Sequence, residues 1–118
     1  MFATVFFGIP DARTGKLTYI NGGHLPPIVI PTKGVRKTLR FTGPAVGAKA
    51  DADYVIKEVR SQHGESFFAY TDGLTDAVNP LGEFFSEKEF IPFLKKKQPL
   101  LKSLAQIESR VEKYEADL

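Results

Sequence analysis

The stretch "FFAYTDGLTDA", Phe67 to Ala77, closes an apolar run with two carboxylates, Asp72 and Asp76, four positions apart. Carboxylate oxygens, with water, are the ligands that hard cations such as Mg²⁺ and Mn²⁺ take. Asp72 stands where the apolar run ends, and Gly73 lets the chain turn sharply there. The end of a rigid element is a good platform for such a group. Asp-Gly is also a common turn dipeptide, and local sequence alone favours a turn or a helix cap. If the residues after Asp72 coil helically, Asp76 joins it on one face. Two like charges that close raise a pKa unless a cation lies between them. Taken singly, Asp76 reads as a solvated turn residue.

His24 lies in "NGGHLPP". It suits a metal ligand, a general acid, or a structural histidine that bonds backbone carbonyls and pins the loop. Gly23, Pro26 and Pro27 make that segment a rigid turn, the glycine by its unusual backbone angles and the prolines by their fixed ones. His63, in "SQHGE", reads as an exposed turn residue. Two histidines without a second ligand at metal spacing make a poor zinc site. There is no Cys, hence no disulfide framework and no thiolate site. No G-x-S-x-G elbow, no convincing Ser-His-Asp order and no Gly-rich phosphate loop with its lysine occurs. "GPAVG" lacks the strand-loop-helix setting such a loop needs.

These residues must be held by a small framework. With 118 residues the chain suits one domain. Apolar and charged fractions of 42% and 25% are ordinary for a globular protein. A net charge of +2 is too small to argue for nucleic acid, and Lys95, Lys96 and Lys97 read as a solvated helix face. No apolar run reaches the roughly 18 residues of a membrane span. The apolar start "MFATVFFGIPD" lacks the basic leader of a signal peptide. The expected location is cytoplasmic.

Residues 1–85 read mostly as strands and 86–118 as helices, together one incomplete domain. Ala3 to Ile9 predicts a strand buried on both faces. "PDARTGK" is a hairpin connection, and "LTYIN" a strand with Leu17, Tyr19 and Asn21 on one face. "IVI", "VRKTLRF", "YVIKEVRS" and "SFFAYTD" follow as strands, with turns at "PTKG" and "QHGE". "SEKE" predicts a capping box with Ser86 as N-cap and Glu89 three residues on. Pro92 limits the first turns of that helix. After Pro99, the residues Leu100, Leu101, Leu104, Ile107, Val111 and Tyr114 predict an amphipathic helix with a single apolar face. Meandering strands followed by helices indicate an antiparallel α+β domain.

In order and spacing, several segments resemble the C-terminal part of SpoIIE-like, PPM-type serine/threonine protein phosphatases, the branch that includes RsbU-type regulators. The segments are the hairpin with Asp11, Thr14, Gly15, Leu17 and Tyr19, and the turn with Asn21, Gly23, His24, Pro26 and Pro27. Gly43 and Gly47 follow, then Gly64 and Glu65, where the family has Gly-Asp, and finally Thr71, Asp72 and Gly73. The match covers about residues 1–85. It implies a partial αββα sandwich: two antiparallel sheets face to face with helices packed outside. It also implies a centre for two Mn²⁺ or Mg²⁺ ions, whose bound water attacks a phosphoserine or phosphothreonine without a protein nucleophile. Asp72 matches a metal-binding aspartate of that centre, and the His24 turn matches a structural element.

The other carboxylates of the family's site lie on segments upstream and downstream of the region matched. Asp117 falls near the last of them but has no strand after it. The expectation is a fragment that lacks the first and final strands of the fold and is inactive alone. Its expected partners are a phosphoprotein substrate, such as an anti-sigma-factor antagonist, and further copies of itself paired through exposed strand edges. A non-catalytic interaction module is the alternative.

Overall fold

The computed structural model describes residues 1–33 and 35–116. Gly34 of the "PTKG" turn and Asp117 lie outside the described residues. The chain divides into two compact units, Met1–Ala69 and Tyr70–Leu118.

The first unit holds β1 (Val5–Asp11), β2 (Lys16–Gly22), β3 (Ile28–Ile30), β4 (Lys37–Thr38), β5 (Lys57–Arg60) and β6 (Ser66–Phe68). They form two antiparallel sheets, ordered β1-β2-β5 and β4-β3-β6. The β1–β2 hairpin closes through Asp11, whose carbonyl accepts from the Gly15 amide at 2.8 Å and whose carboxylate accepts from the Arg13 amide at 3.0 Å. Gly15 has φ +76°, and a Cβ there would stand 2.2 Å from the Ser61 carbonyl oxygen, so glycine is required.

The two sheets meet face to face. Tyr19 of β2, Val29 of β3 and Leu39 form the buried cluster, with Phe6, Leu17 and Val59 packed against it. The alternation read in "LTYIN" explains this, since every second residue of β2 points inward. The Phe6 and Tyr19 rings stack at 5.5 Å. The three residues "IVI" are all buried, on the central strand of their sheet.

β1 departs from expectation. It is an edge strand, and only Phe6 in it is even half-buried, while Phe7 and Ile9 are 57% and 61% exposed. An apolar run encodes surface that is favourable to cover; it does not supply the cover. The strand expected through "SFFAYTD" also stops early, at Phe68.

The second unit contains α1 (Asp72–Thr75), α2 (Glu87–Leu94) and α3 (Leu100–Ala116). Between α1 and α2, "VNPLGEF" makes a tight reversal that the sequence reading left out. Asn79 Oδ1 accepts from the amides of Leu81 and Glu83, and Val78 bridges to Phe84. The interior is aromatic: Phe85 stacks on Phe90 at 6.1 Å, and Tyr70 and Tyr114 meet these two rings edge-on.

Ser86 is the N-cap of α2, but no side-chain cap forms. The Glu89 carboxylate turns instead to Arg110, which donates from Nη2 at 2.8 Å and Nε at 3.1 Å. A forked, charge-assisted pair outcompetes a local cap. The buried side of α3 also differs from the apolar pattern. Ser103 and Ile107 are its buried residues, whereas Leu100, Leu101 and Leu104 are exposed. Gln98 sets this register: its Nε2 donates to Phe93 O, Ser103 Oγ and Gln106 Oε1. That polar knot ties the α3 start to the end of α2 and turns the leucines outward.

Candidate functional site

Asp72 is the first residue of α1, with Thr71 as N-cap. It follows β6 by a short irregular segment and does not stand on the strand itself. Its side chain is exposed, and so is that of Asp76. The helical turn does form: the Asp76 amide donates to the Asp72 carbonyl at 2.7 Å. The two carboxylates therefore share one face of a single turn, as their spacing allows. Gly73 is exposed beside them, and Asp76 closes the turn with helical backbone angles.

The turn that carries His24 belongs to the first unit. Asn21 at its start is fully buried. Its amide donates to Thr42 Oγ1 at 2.9 Å, its Nδ2 to Leu39 O at 2.9 Å, and its Oδ1 accepts from the His24 amide at 2.9 Å. His24 Nδ1 lies 2.7 Å from Leu25 O, a distance at which the ring donates to that carbonyl. Gly23 has φ +73°, and a Cβ there would press on the Ala45 backbone at 3.0–3.1 Å. Pro27 is fully buried, and its carbonyl accepts from the Leu39 amide at 2.8 Å. Pro26 is half-buried in the same turn.

Sequence reasoning placed Asn21 on one face with Leu17 and Tyr19 but missed its role as the polar staple of this region. The signal was present: an amide side chain on the apolar face of a strand must find partners. Glu65 stands where the resemblance implies Asp. Its Oε1 accepts from the Gln62 amide and closes the turn at Gly64, whose φ is +88°. His63 is exposed in that turn.

Among the described residues, no three His, Asp or Glu side chains gather as a metal centre requires. Asp72 and Asp76 by themselves do not fit a two-ion centre, which needs more oxygen ligands than one turn supplies. No helix among the described residues is long and apolar enough to cross a membrane.

Comparisons with known proteins agree with this fold. The family described as Stage II sporulation protein E (SpoIIE) matches residues 1–117. Protein IcfG of Synechocystis sp. is 42% identical over 94 residues, which cover 80% of this chain and 15% of IcfG. The chain thus spans about 15% of the curated relative that it matches. The crystal structure of the RsbU and RsbW domains of Rv1364c from Mycobacterium tuberculosis superposes with a TM-score of 0.73 at 21% identity, over 95% of this chain and 32% of that one. The SiaA-PP2C domain of Pseudomonas aeruginosa gives a TM-score of 0.72 at 23% identity, over 88% of this chain and 42% of that one.

Proposed function

The chain belongs to the SpoIIE family, and from that premise we propose that it is part of a metal-dependent protein serine/threonine phosphatase domain. The observation that carries the reading is the family match over residues 1–117, which takes in Thr71-Asp72-Gly73. In this reading Asp72 contributes one carboxylate to a centre for Mn²⁺ or Mg²⁺ that other segments of a longer protein complete. The described residues do not fit that centre alone, so no catalytic step is assigned to them. Gly23, His24, Pro26 and Pro27 act as structure: the ring and amide of His24 are both engaged with neighbouring backbone and Asn21. Gly73 leaves the turn beside Asp72 uncrowded. The substrate class is a phosphoserine or phosphothreonine protein, such as an anti-sigma-factor antagonist, met in the cytoplasm.

The test is a phosphatase assay with Mn²⁺ and a phosphoserine peptide on a longer protein that contains this chain. Asp72→Ala should lower kcat/KM by about a hundredfold or more, since even groups that only support a ligand are worth about 10–100-fold. Unchanged activity in that variant would remove Asp72 from the site. Calorimetry on the 118-residue chain should show no Mn²⁺ binding above that of Asp72→Ala. Micromolar binding lost in the variant would mean that copies of the chain pool their carboxylates.

A second reading is a phosphatase-like interaction module that binds a protein through an open sheet edge. It is favoured by the exposed apolar β1 and by an apolar cavity of about 480 Å³ beside it, lined by Phe6, Pro10, Leu17 and Phe67 among others.

A further inference from the structure

Residues 90–107 carry four lysines, Lys95, Lys96, Lys97 and Lys102, and no Asp or Glu. They run from the second half of α2 through its connection into the first two turns of α3. At this end of the helix pair Leu100, Leu101 and Leu104 are 81%, 80% and 59% exposed. Lys96 lies over the Phe93 ring at 5.4 Å. Lys95, Lys97 and Lys102 are exposed and flank the leucines along the chain.

Two local rules are broken at this one place. The first turn of a helix favours acidic residues, yet α3 has none there and carries Lys102 instead. Each leucine left in water also forgoes burial worth about 1.5–3 kcal/mol. Where local choices run against the fold, a functional surface is the expected reason. An apolar centre with a charged rim is the anatomy of a protein–protein contact.

The charges select the occupant. A second copy in parallel would set lysines against lysines. An antiparallel copy would set the leucines against Glu108 and Glu112, which are exposed farther along α3. An anionic membrane along the helix would meet Glu108, Glu112 and Glu115, all exposed. A short acidic segment at the tip avoids these conflicts. We infer that the leucine–lysine tip of the α2–α3 pair is a docking surface for an acidic amphipathic helix of a partner protein. Its leucine-type anchors would cover Leu100, Leu101 and Leu104, and its carboxylates would face Lys95, Lys97 and Lys102. This surface is independent of the phosphatase reading and uses none of its residues.

The probe is a synthetic helical peptide with leucines at three- and four-residue spacing and glutamate flanks, set beside the same peptide with lysine flanks. Fluorescence anisotropy on the full 118-residue chain should show binding of the acidic peptide alone. Leu101→Ser with Leu104→Ser should weaken it by about tenfold or more, as loss of a central anchor does. Lys95→Glu with Lys97→Glu and Lys102→Glu should reverse the preference towards the basic peptide. All these positions are exposed, and circular dichroism checks that each variant folds. Equal binding of both peptides, or binding that ignores the leucine and lysine changes, would overturn the proposal. So would association with phosphatidylserine vesicles in place of the peptide, or self-association that the leucine variant abolishes.

Discussion

The Asn21 side chain donates to Leu39 O and accepts from the His24 amide, with no exposure to solvent. Asn21→Ala leaves both groups unpaired, at about 1–3 kcal/mol each when buried. Urea unfolding should therefore show a loss of about 2–4 kcal/mol. Asn21→Asp should also destabilise, because it sets a carboxylate oxygen against the Leu39 carbonyl. Asp72→Ala should change stability by less than about 0.5 kcal/mol, as exposed substitutions do. Opposite behaviour of these two positions, one affecting folding and the other only activity, is the expected mark of a staple and a ligand. A large stability loss in Asp72→Ala would instead make that residue a structural cap.

At the scale of elements, α3 is fastened to its own unit near its C-terminal end. Tyr114 donates from its hydroxyl to Phe84 O at 2.9 Å, its ring meets Phe85 edge-on at 5.2 Å, and Arg110 lies over it at 5.8 Å. Burial pushes the Tyr114 phenol up, the Glu83 and Glu89 carboxylates add to this, and Arg110 opposes it. Burial pushes Tyr19 up as well. A phenol whose folded pKa is raised favours the neutral form, so its contribution is complete below the usual value of about 10. That contribution is lost as pH rises through the raised value. Stability should thus fall on the alkaline side of about pH 10, and Tyr114→Phe should flatten part of that fall while weakening the fold slightly at neutral pH. Thermal melts from pH 7 to 11 measure both (roughly the span that brackets phenol ionisation). An unchanged alkaline slope in the variant would assign the effect to Tyr19 and other groups.

For the molecule as a whole, the two edges of the first sheet differ in kind. β5, "KEVR", is short and charged, which is how natural edges resist pairing. β1 presents Phe7 and Ile9 and is protected only near its end, by Pro10. Light scattering on the 118-residue chain should show dimers or larger species. Ile9→Lys should shift them towards monomer, because an edge lysine opposes strand addition. A monomer before any substitution would remove the edge as a self-association site. The two units and the tip of the helix pair give this small chain several distinct surfaces, and the variants described separate them.

The sequence by itself determined the α+β class, the order of the strands and of the two longer helices, the β1–β2 hairpin and the family. Each rests on local chemistry: alternation, turn residues, and motifs whose spacing survives without neighbours. The rigid turn at His24 was legible for the same reason. Only the tertiary structure decided what covers what. The apolar run of β1 announced burial and the start of α3 an apolar face, but no described residue encloses Phe7, Ile9, Leu100 or Leu101. Glu89 was expected at a cap and went to Arg110; Asn21 was expected merely to share a face with Leu17 and Tyr19 and became a staple. In each case the partner is distant in sequence, and a pattern along one segment carries no information about which distant group competes best for it.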